Sequence, residues 1–156
     1  MSIPESIASY LEHREVPFEV VTHATSMTSL ETAQRAHVPA ARLAKGVLVE
    51  NGESFVLAVV PATHRLDCVA LGEVLQCDIH KADAADLDLL FRDCSPGAVP
   101  SIGAPYGLRT VVDRALDEQP DVYLEGGDHQ HLIHVSRTAF ARLMKSAEHA
   151  WITYTG

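Results

Sequence analysis

The chain has 156 residues, of which 47% are hydrophobic and 21% are charged, and its formal net charge is −9 at pH 7. This composition is typical of a globular domain with a sizeable core and excludes the high-charge, low-hydrophobicity class of disordered chains. The excess of 21 acidic over 12 basic residues argues against general binding to DNA or to another long phosphate backbone.

Two hydroxyl residues near the N-terminus, each followed three positions later by glutamate, have the capping-box spacing that begins a helix. These pairs are Ser2 with Glu5 and Thr28 with Glu31. Apolar residues at helical spacing follow the first pair, and a short helix from the second should reach Ala36 before Pro39 ends it. Between the two helices, residues 16–23 predict a strand.

An Asn51-Gly52 dipeptide separates two apolar runs, ARLAKGVLVE and SFVLAVVPA. Asn-Gly between such runs is the strongest short-range signal for a two-residue hairpin turn. This turn would place Lys45 opposite Ala58. Four aliphatic residues would then surround the lysine on the same face of the sheet, namely Leu43, Val47, Val56 and Val60.

The second half of the chain predicts helices over residues 67–75 and 84–91, followed by a long Gly- and Pro-rich loop, DCSPGAVPSIGAPYG. Loops of this length in a compact domain are usually functional or disordered. Three strands, LRTVVD, DVYLEG and HLIHVS, precede a closing helix over residues 137–144. Because hairpins and helical crossovers are mixed, we predict a single α+β domain over residues 1–156, with a mixed, partly barrel-like β-sheet flanked by helices.

Lys45 is unusual because it lies within a run of Leu, Ala, Gly and Val that predicts a buried strand, where lysine is rare. Its ammonium can extend along the sheet to the surface. Alternatively, it can occupy a pocket in which desolvation lowers its pKa and it acts as a base, a nucleophile or a cation that orients an anionic group. Residues 97–100 in the long loop likewise fit either a rigid ligand-binding turn or a plain connector.

Other candidate chemistry is weaker. His129, His131 and His134 form a cluster of the kind that suggests zinc, but strand alternation places the first two on one face and the third on the other. We therefore favour structural or surface histidines over a metal site. The three cysteines match neither a disulfide framework nor a metal-binding pair, and nothing near Cys94 marks it as an activated nucleophile.

The cellular location can also be predicted from the sequence. No apolar run approaches the roughly 18 residues needed to cross a bilayer. The N-terminus lacks the basic flank and apolar stretch of a signal peptide. We therefore expect a cytoplasmic protein that does not contact membranes.

Four segments together resemble the YbaK/prolyl-tRNA synthetase-associated domain family over nearly the whole chain. They are LETAQRAHVPAARLAKGVLVE, FVLAVVPATHRLD, DCSPGAVPSIGAPYG and GGDHQHLIHVSRTAF. Members of this family are trans-editing aminoacyl-tRNA deacylases or editing insertions within prolyl-tRNA synthetase. The resemblance implies a hydrolase that cleaves the ester linking a wrong amino acid to the tRNA 3′ end, with assistance from a vicinal hydroxyl of the terminal adenosine.

The resemblance also implies a site, in which Lys45 is the catalytic lysine and residues 97–100 line the aminoacyl pocket. Together with the predicted hairpin register, it gives eight substrate-binding residues: Gly46, Ala58, Val60, Gly97, Ala98, Val99, Pro100 and His131. The protein would act by positioning and charge stabilisation, with no metal and no cofactor. Gly46 is a departure, because several members carry polar or histidine residues beside the lysine.

We expect the wrongly attached amino acid to be small, such as Ala, Ser or Cys, because the predicted surround of Lys45 leaves room mainly above Ala58. The expected partners are the 3′ end of an aminoacyl-tRNA and an aminoacyl-tRNA synthetase that recruits the protein. Two alternatives stay open. One is a non-catalytic paralogue that binds a tRNA 3′ end, a nucleotide or a partner protein in the same cavity, and the other is a metal-dependent hydrolase that uses the histidine cluster.

Overall fold

The computed structural model describes residues 3–155, so the predicted cap at Ser2 lies outside the described residues. Within this range the helices are α1 (Glu5–His13), α2 (Ser29–Ala36), α3 (Cys68–Leu75), α4 (Ala84–Leu90), α5 (Arg114–Asp117) and α6 (Arg137–Leu143). The strands are β1 (Glu19–Thr22), β2 (Leu43–Glu50), β3 (Phe55–Pro61), β4 (Arg65–Leu66), β5 (His80–Lys81), β6 (Arg109–Asp113), β7 (Asp121–Glu125), β8 (His131–Ser136), β9 (Glu148–Ala150) and β10 (Thr153–Tyr154). No helix of these residues is long and apolar enough to cross a membrane.

The boundaries of α2 illustrate how local sequence sets the elements. Thr28 Oγ1 accepts a hydrogen bond from the backbone N–H of Glu31 at 3.2 Å, so the helix begins where the capping box predicts. The helix reaches Ala36 as predicted. The residue that ends it is His37, which adopts the left-handed conformation with a φ of 58°, rather than Pro39.

Eight strands form one mixed sheet. Seven of them follow the order β1-β8-β7-β2-β3-β6-β9, and β5 pairs with β2. The β2/β7, β3/β6 and β6/β9 pairs are parallel, whereas the other pairs in the sheet are antiparallel. Strands β4 and β10 form a separate antiparallel ladder. The prediction of an α+β fold with a mixed sheet is confirmed, and within residues 3–155 the sheet does not close into a barrel, since β1 and β9 at its two ends do not pair.

Strand β2 has an interrupted edge. On one side it pairs with β3 along nearly its whole length. On the other side it pairs with β7 only through Leu43 and Ala44, and with β5 only through Val49 and Glu50. The carbonyl of Leu48 still accepts a hydrogen bond from the N–H of Ala82 at 2.9 Å, so among the described residues 45–47 have no ladder partner on this side, and the sheet opens beside Lys45.

The register of the β2/β3 hairpin differs by two residues from the predicted one. The last pair is Glu50 with Phe55, so the connection contains residues 51–54 instead of the dipeptide alone. Lys45 consequently lies opposite Val60 and not opposite Ala58. Because side chains alternate with a period of two, this shift leaves each residue on its predicted face.

The side chain of Asn51 explains the longer turn. Its Oδ1 accepts hydrogen bonds from the backbone N–H of Glu53 at 2.9 Å and from that of Ser54 at 2.8 Å. An asparagine side chain that accepts bonds from N–H groups two and three residues ahead closes an Asx-type turn. Asn51 therefore closes a four-residue connection through its side chain, in place of the two-residue turn that the dipeptide predicts.

The two larger of three buried clusters lie on opposite faces of the sheet, as the alternation along β2 shows. Ala44 and Leu48 belong to the first cluster, which also contains apolar residues of α1, α5 and α6. Val49 belongs to the second cluster, which contains Leu71 of α3. Lys45 shares the face of the second cluster and lies at its rim, beside the interrupted edge.

The long loop closes against β2 at Gly46. A Cβ atom on this residue would overlap the carbonyl oxygen of Pro100 and would lie 3.0 Å from Val99 Cγ1 and 3.2 Å from Leu57 Cδ1. Any side chain at this position would therefore push the loop away from the strand. This close approach accounts for glycine beside Lys45, the position at which the chain departs from several members of the family it resembles.

We expect Gly46→Ala to lower the free energy of unfolding by about 1–3 kcal/mol, the usual cost of overpacking a filled site. The physical reason is that the added methyl group must displace the backbone carbonyl of Pro100. Urea denaturation of the parent and the variant measures the difference. An alanine variant as stable as the parent would show that the loop does not pack against β2.

Candidate functional site

A cavity of about 180 Å³ lies where β2 and β7 diverge. Its walls come from four separate segments: residues 26–29 at the start of α2, Lys45 and Gly46 in β2, residues 97–99 of the long loop, and residues 125–127 at the end of β7. The remaining lining residues are Thr32, Leu132 and the histidines His23, His129 and His131. The interrupted edge of β2 thus positions the cavity, and the loop covers it.

Lys45 is partly buried on the cavity wall. Burial lowers the pKa of its ammonium below the ordinary value, and the neighbouring charge of Glu125 offsets part of this effect. The positive charges of Lys81 and Arg65 lower the pKa further. Lys45 is therefore a half-buried cation that is influenced by one acid and by two other cations.

Glu125 is the acidic residue on the same wall. The β2/β7 register pairs Ala44 with Leu124, so its continuation by one residue places Glu125 beside Lys45. Burial raises the pKa of the Glu125 carboxyl, while a hydrogen bond from Ser29 Oγ and the charges of Lys45 and His129 oppose the increase. Its backbone N–H donates to Ser101 Oγ at 3.0 Å, which anchors the residue to the long loop.

The turn after β7 is held in place by its own polar groups. Asp128 Oδ1 accepts hydrogen bonds from the backbone N–H of His131 at 2.9 Å and from that of Gln130 at 3.0 Å. The other carboxylate oxygen accepts from Nδ1 of His131, which fixes the orientation of the imidazole ring. His129, whose φ is 63°, donates from Nε2 to the carbonyl of Pro96 at 3.0 Å and so connects the turn with the long loop.

The structure brings together most of the residues that the sequence predicts for the site. Those that line the cavity are Lys45, Gly46, Gly97, Ala98, Val99 and His131. Pro100 does not line it, but its carbonyl packs over Gly46. Glu125 was not predicted as a site residue, because its approach to Lys45 depends on the parallel pairing of two strands far apart in the sequence. Ser29 was not predicted either; it begins α2 and is connected to the site by its hydrogen bond to Glu125.

Ala58 and Val60 are not part of the cavity. Both are fully buried in the second core cluster, and their strand β3 lies on the side of β2 that faces away from the interrupted edge. The prediction that they contact substrate is not supported by this placement. The expected free space above Ala58 does not exist, since core side chains fill it.

The other candidate groups are held in different arrangements. His134 stacks on Tyr123 with ring centroids 4.2 Å apart and bonds to Asp121 at 2.6 Å, away from the cavity. In residues 3–155 no group of three or more His, Cys, Asp and Glu is placed to hold a metal ion. Burial raises the pKa of the Cys94 thiol to about 11, and its sulfur lies 3.4 Å from the hydroxyl of Tyr106. This thiol is therefore protonated at neutral pH and poorly nucleophilic.

Solved structures share this fold. The hypothetical protein APE2540 is 22% identical with a TM-score of 0.84, over 96% of this chain and 100% of that chain. A protein proposed to be a trans-editing enzyme for prolyl-tRNA synthetase is 22% identical with a TM-score of 0.82, over 98% and 99%. A proposed signal transduction protein from Marinobacter aquaeolei VT8 is 19% identical with a TM-score of 0.79, over 97% of this chain and 31% of that chain. At these identities the likeness establishes the fold.

Comparison with curated proteins gives no significant match. A family model of the aminoacyl-tRNA editing domain matches residues 23–143, a range that contains every segment lining the cavity. This range is well over half of the chain, and the resemblance expected from the sequence is thereby confirmed. The chain belongs to the aminoacyl-tRNA editing domain family.

Proposed function

We propose that this protein hydrolyses the ester bond between a small, wrongly attached amino acid and the 3′ end of a tRNA. The observation that carries the proposal is the position of Lys45 on the wall of a small cavity, in a chain of the aminoacyl-tRNA editing family. The solved structure proposed to be a trans-editing enzyme for prolyl-tRNA synthetase supports the same class of activity.

The size of the cavity favours a small amino acid. Its volume of about 180 Å³ lies below the 300–1,000 Å³ of sites for drug-sized ligands. Small residues form much of its lining, including Ser26, Ser29, Gly97 and Ala98. The α-ammonium group, the ester carbonyl and an attacking water must share this space with the side chain, so a short side chain leaves the most room for them.

The charges of the site match the charges of an aminoacyl ester. Water adds to the carbonyl carbon, the oxygen of the carbonyl gains negative charge, and the ester C–O bond then breaks as the leaving ribose oxygen takes up a proton. The Lys45 ammonium stabilises the developing oxyanion, because a cation held in a desolvated position acts strongly on nearby charge. The Glu125 carboxylate accepts hydrogen bonds from the α-ammonium group of the amino acid and thereby orients the ester.

In this proposal the vicinal hydroxyl of the terminal adenosine assists the water, and no metal or covalent intermediate takes part. The partner is the 3′ end of an aminoacyl-tRNA, with an aminoacyl-tRNA synthetase as a second partner that supplies mischarged tRNA. Such a substrate places the activity in the cytoplasm.

We expect purified protein to release Ala, Ser or Cys from mischarged tRNAs faster than it releases Phe, because a small side chain leaves more of the cavity to the ester and the attacking water. A deacylation panel that uses several tRNAs, each charged with amino acids of increasing size, measures the selectivity. Hydrolysis of phenylalanyl-tRNA at the rate of alanyl-tRNA would contradict the size argument. Binding without turnover of any substrate would favour the non-catalytic alternative.

We expect Lys45→Ala to lower kcat/KM by about 10²–10³, the usual effect of removing one donor that stabilises an oxyanion. Lys45→Arg should also be defective, since a planar guanidinium does not replace a compact ammonium in a fitted pocket. The fold should persist, because Glu125 keeps its hydrogen bond from Ser29. Thermal unfolding checks the fold, and Lys145→Ala, a change at an exposed lysine on the last turn after α6, provides a charge-matched control.

The role of Glu125 has its own test, for which Glu125→Gln removes the charge and preserves the shape. If the carboxylate binds the α-ammonium, the parent should hydrolyse aminoacyl-tRNA at least tenfold more efficiently than the same substrate acetylated on its amino group. Glu125→Gln should lose most of this preference, because a neutral glutamine does not favour the free α-ammonium group over the acetylated amino group. An unchanged preference in the variant would assign recognition of the ammonium to another group.

A further inference from the structure

A second cavity, about 510 Å³ in volume, meets the first at Lys45, which lines both of them. This second cavity is an open groove along the face of the sheet. We call it the basic groove and define it by Leu30, Lys45, His64, Arg65, Lys81 and Tyr154. Because Lys45 belongs to both walls, a ligand that fills the first cavity can continue directly into the groove.

The groove concentrates positive charge in an acidic protein. The chain carries a net charge of −9, yet no Asp or Glu lines the groove, whereas Lys45, Arg65 and Lys81 all do. None of these three makes an ion pair within the part of the chain that the structure describes. Other arginines, such as Arg42 and Arg109, are paired with carboxylates. The groove cations are therefore available to an external anion.

The arrangement of these groups is set by the backbone. On β5, Lys81 pairs with Val49 of β2, four residues beyond Lys45 on the same face. Four strand residues correspond to about 13 Å, so the two lysines mark two levels along the groove. Arg65 on β4 pairs directly with Tyr154 on β10, and both side chains are exposed.

Arg65 and Lys81 also act electrostatically on Lys45, since the charge of each lowers the pKa of that lysine. Their fields therefore reach the junction between the two cavities. Three like charges that repel one another across a groove without a carboxylate favour a ligand with repeated negative charge. The exposed ring of Tyr154 beside Arg65 offers a flat apolar surface to the same ligand.

We propose that the basic groove binds the single-stranded nucleotides that precede the terminal adenosine of tRNA, with Arg65 and Lys81 on their phosphates and Tyr154 stacked on a base. Positively charged grooves with exposed aromatic rings are the common means of holding single-stranded nucleic acid. This inference rests on the proposed function, because the aminoacyl ester in the first cavity fixes which end of the strand enters the groove. The proposal assigns tRNA binding to a few basic residues, in a protein whose net charge of −9 opposes the binding of a polyanion.

The first test compares two substrates that share one ester: aminoacyl-tRNA, and the aminoacyl ester of adenosine alone, which has no preceding phosphates. Arg65→Ala and Lys81→Ala should each raise the KM for aminoacyl-tRNA at least fivefold more than the KM for aminoacyl-adenosine. Lys145→Ala removes the same charge from an exposed site outside the groove and should behave as the parent does. The proposal would be overturned if the groove variants raised the KM of both substrates equally. It would also be overturned if Lys81→Ala and Lys145→Ala raised the KM for aminoacyl-tRNA equally.

The second test measures binding, so it remains informative if neither substrate is hydrolysed. An uncharged RNA oligonucleotide that ends in CCA is titrated against the protein over a series of salt concentrations. Each phosphate neutralised on a single strand contributes about −0.7 to the slope of log affinity against log salt. The parent should give a slope of roughly −1.4 for the two contacts by Arg65 and Lys81, and Lys81→Ala or Arg65→Ala should reduce its magnitude by about 0.7.

Tyr154→Ala should weaken the affinity for this oligonucleotide about fivefold or more without changing the slope, because stacking carries no charge. A blunt-ended RNA duplex should compete poorly, since its bases are not free to stack. Competition by the duplex at the same concentration would overturn the single-strand assignment. If the parent hydrolyses no substrate but the groove variants still weaken oligonucleotide binding and Lys145→Ala does not, the proposed reaction fails and the groove assignment is retained.

Discussion

The site depends on one constraint, the interruption of backbone pairing along one edge of β2. Two residues pair with β7 and two with β5, and the stretch between them is free for the long loop to approach at Gly46. A glycine is required there because the carbonyl of Pro100 occupies the space of a side chain. If β7 continued along β2, ladder hydrogen bonds would fill the opening and no cavity would form beside Lys45.

The same interruption explains how a strand with apolar neighbours accommodates a lysine. Lys45 lies at the rim of a core cluster and at an open edge, so its stem packs while its ammonium reaches two cavities. The sequence left two interpretations of Lys45 open, an ammonium that extends to the surface and an ammonium that occupies a pocket. Both apply, because the side chain extends along the sheet and also enters a pocket. Its desolvation is partly offset by Glu125, and the remaining positive potential lies where the proposed oxyanion and the nearest phosphates would meet.

Much of the fold could be predicted from the sequence, because caps and turn residues act locally. Thr28 marks the start of α2, and the strand that contains Lys45 was placed correctly. The hairpin register was not predictable from Asn51-Gly52, since the asparagine side chain closes a longer turn. The longer turn shifts the register by two residues, so Val60 lies opposite Lys45 where Ala58 was predicted. The site was incomplete without Glu125, which approaches Lys45 through a parallel pairing that leaves no pattern in the local sequence.

The walls of the cavity are also connected to one another, and this connection bears on selectivity. The backbone N–H of Ser95 bonds to the carbonyl of Gly127 at 2.8 Å, and His129 bonds to Pro96, so the long loop and the turn after β7 are tied together at one end. At the other end, the fully buried Ser101 accepts from the N–H of Glu125. Two walls of the cavity therefore hold each other in place, and a ligand that displaces one of them must break its bonds to the other. In the proposed reaction, size selection is therefore a property of the bonded loop and turn as a unit.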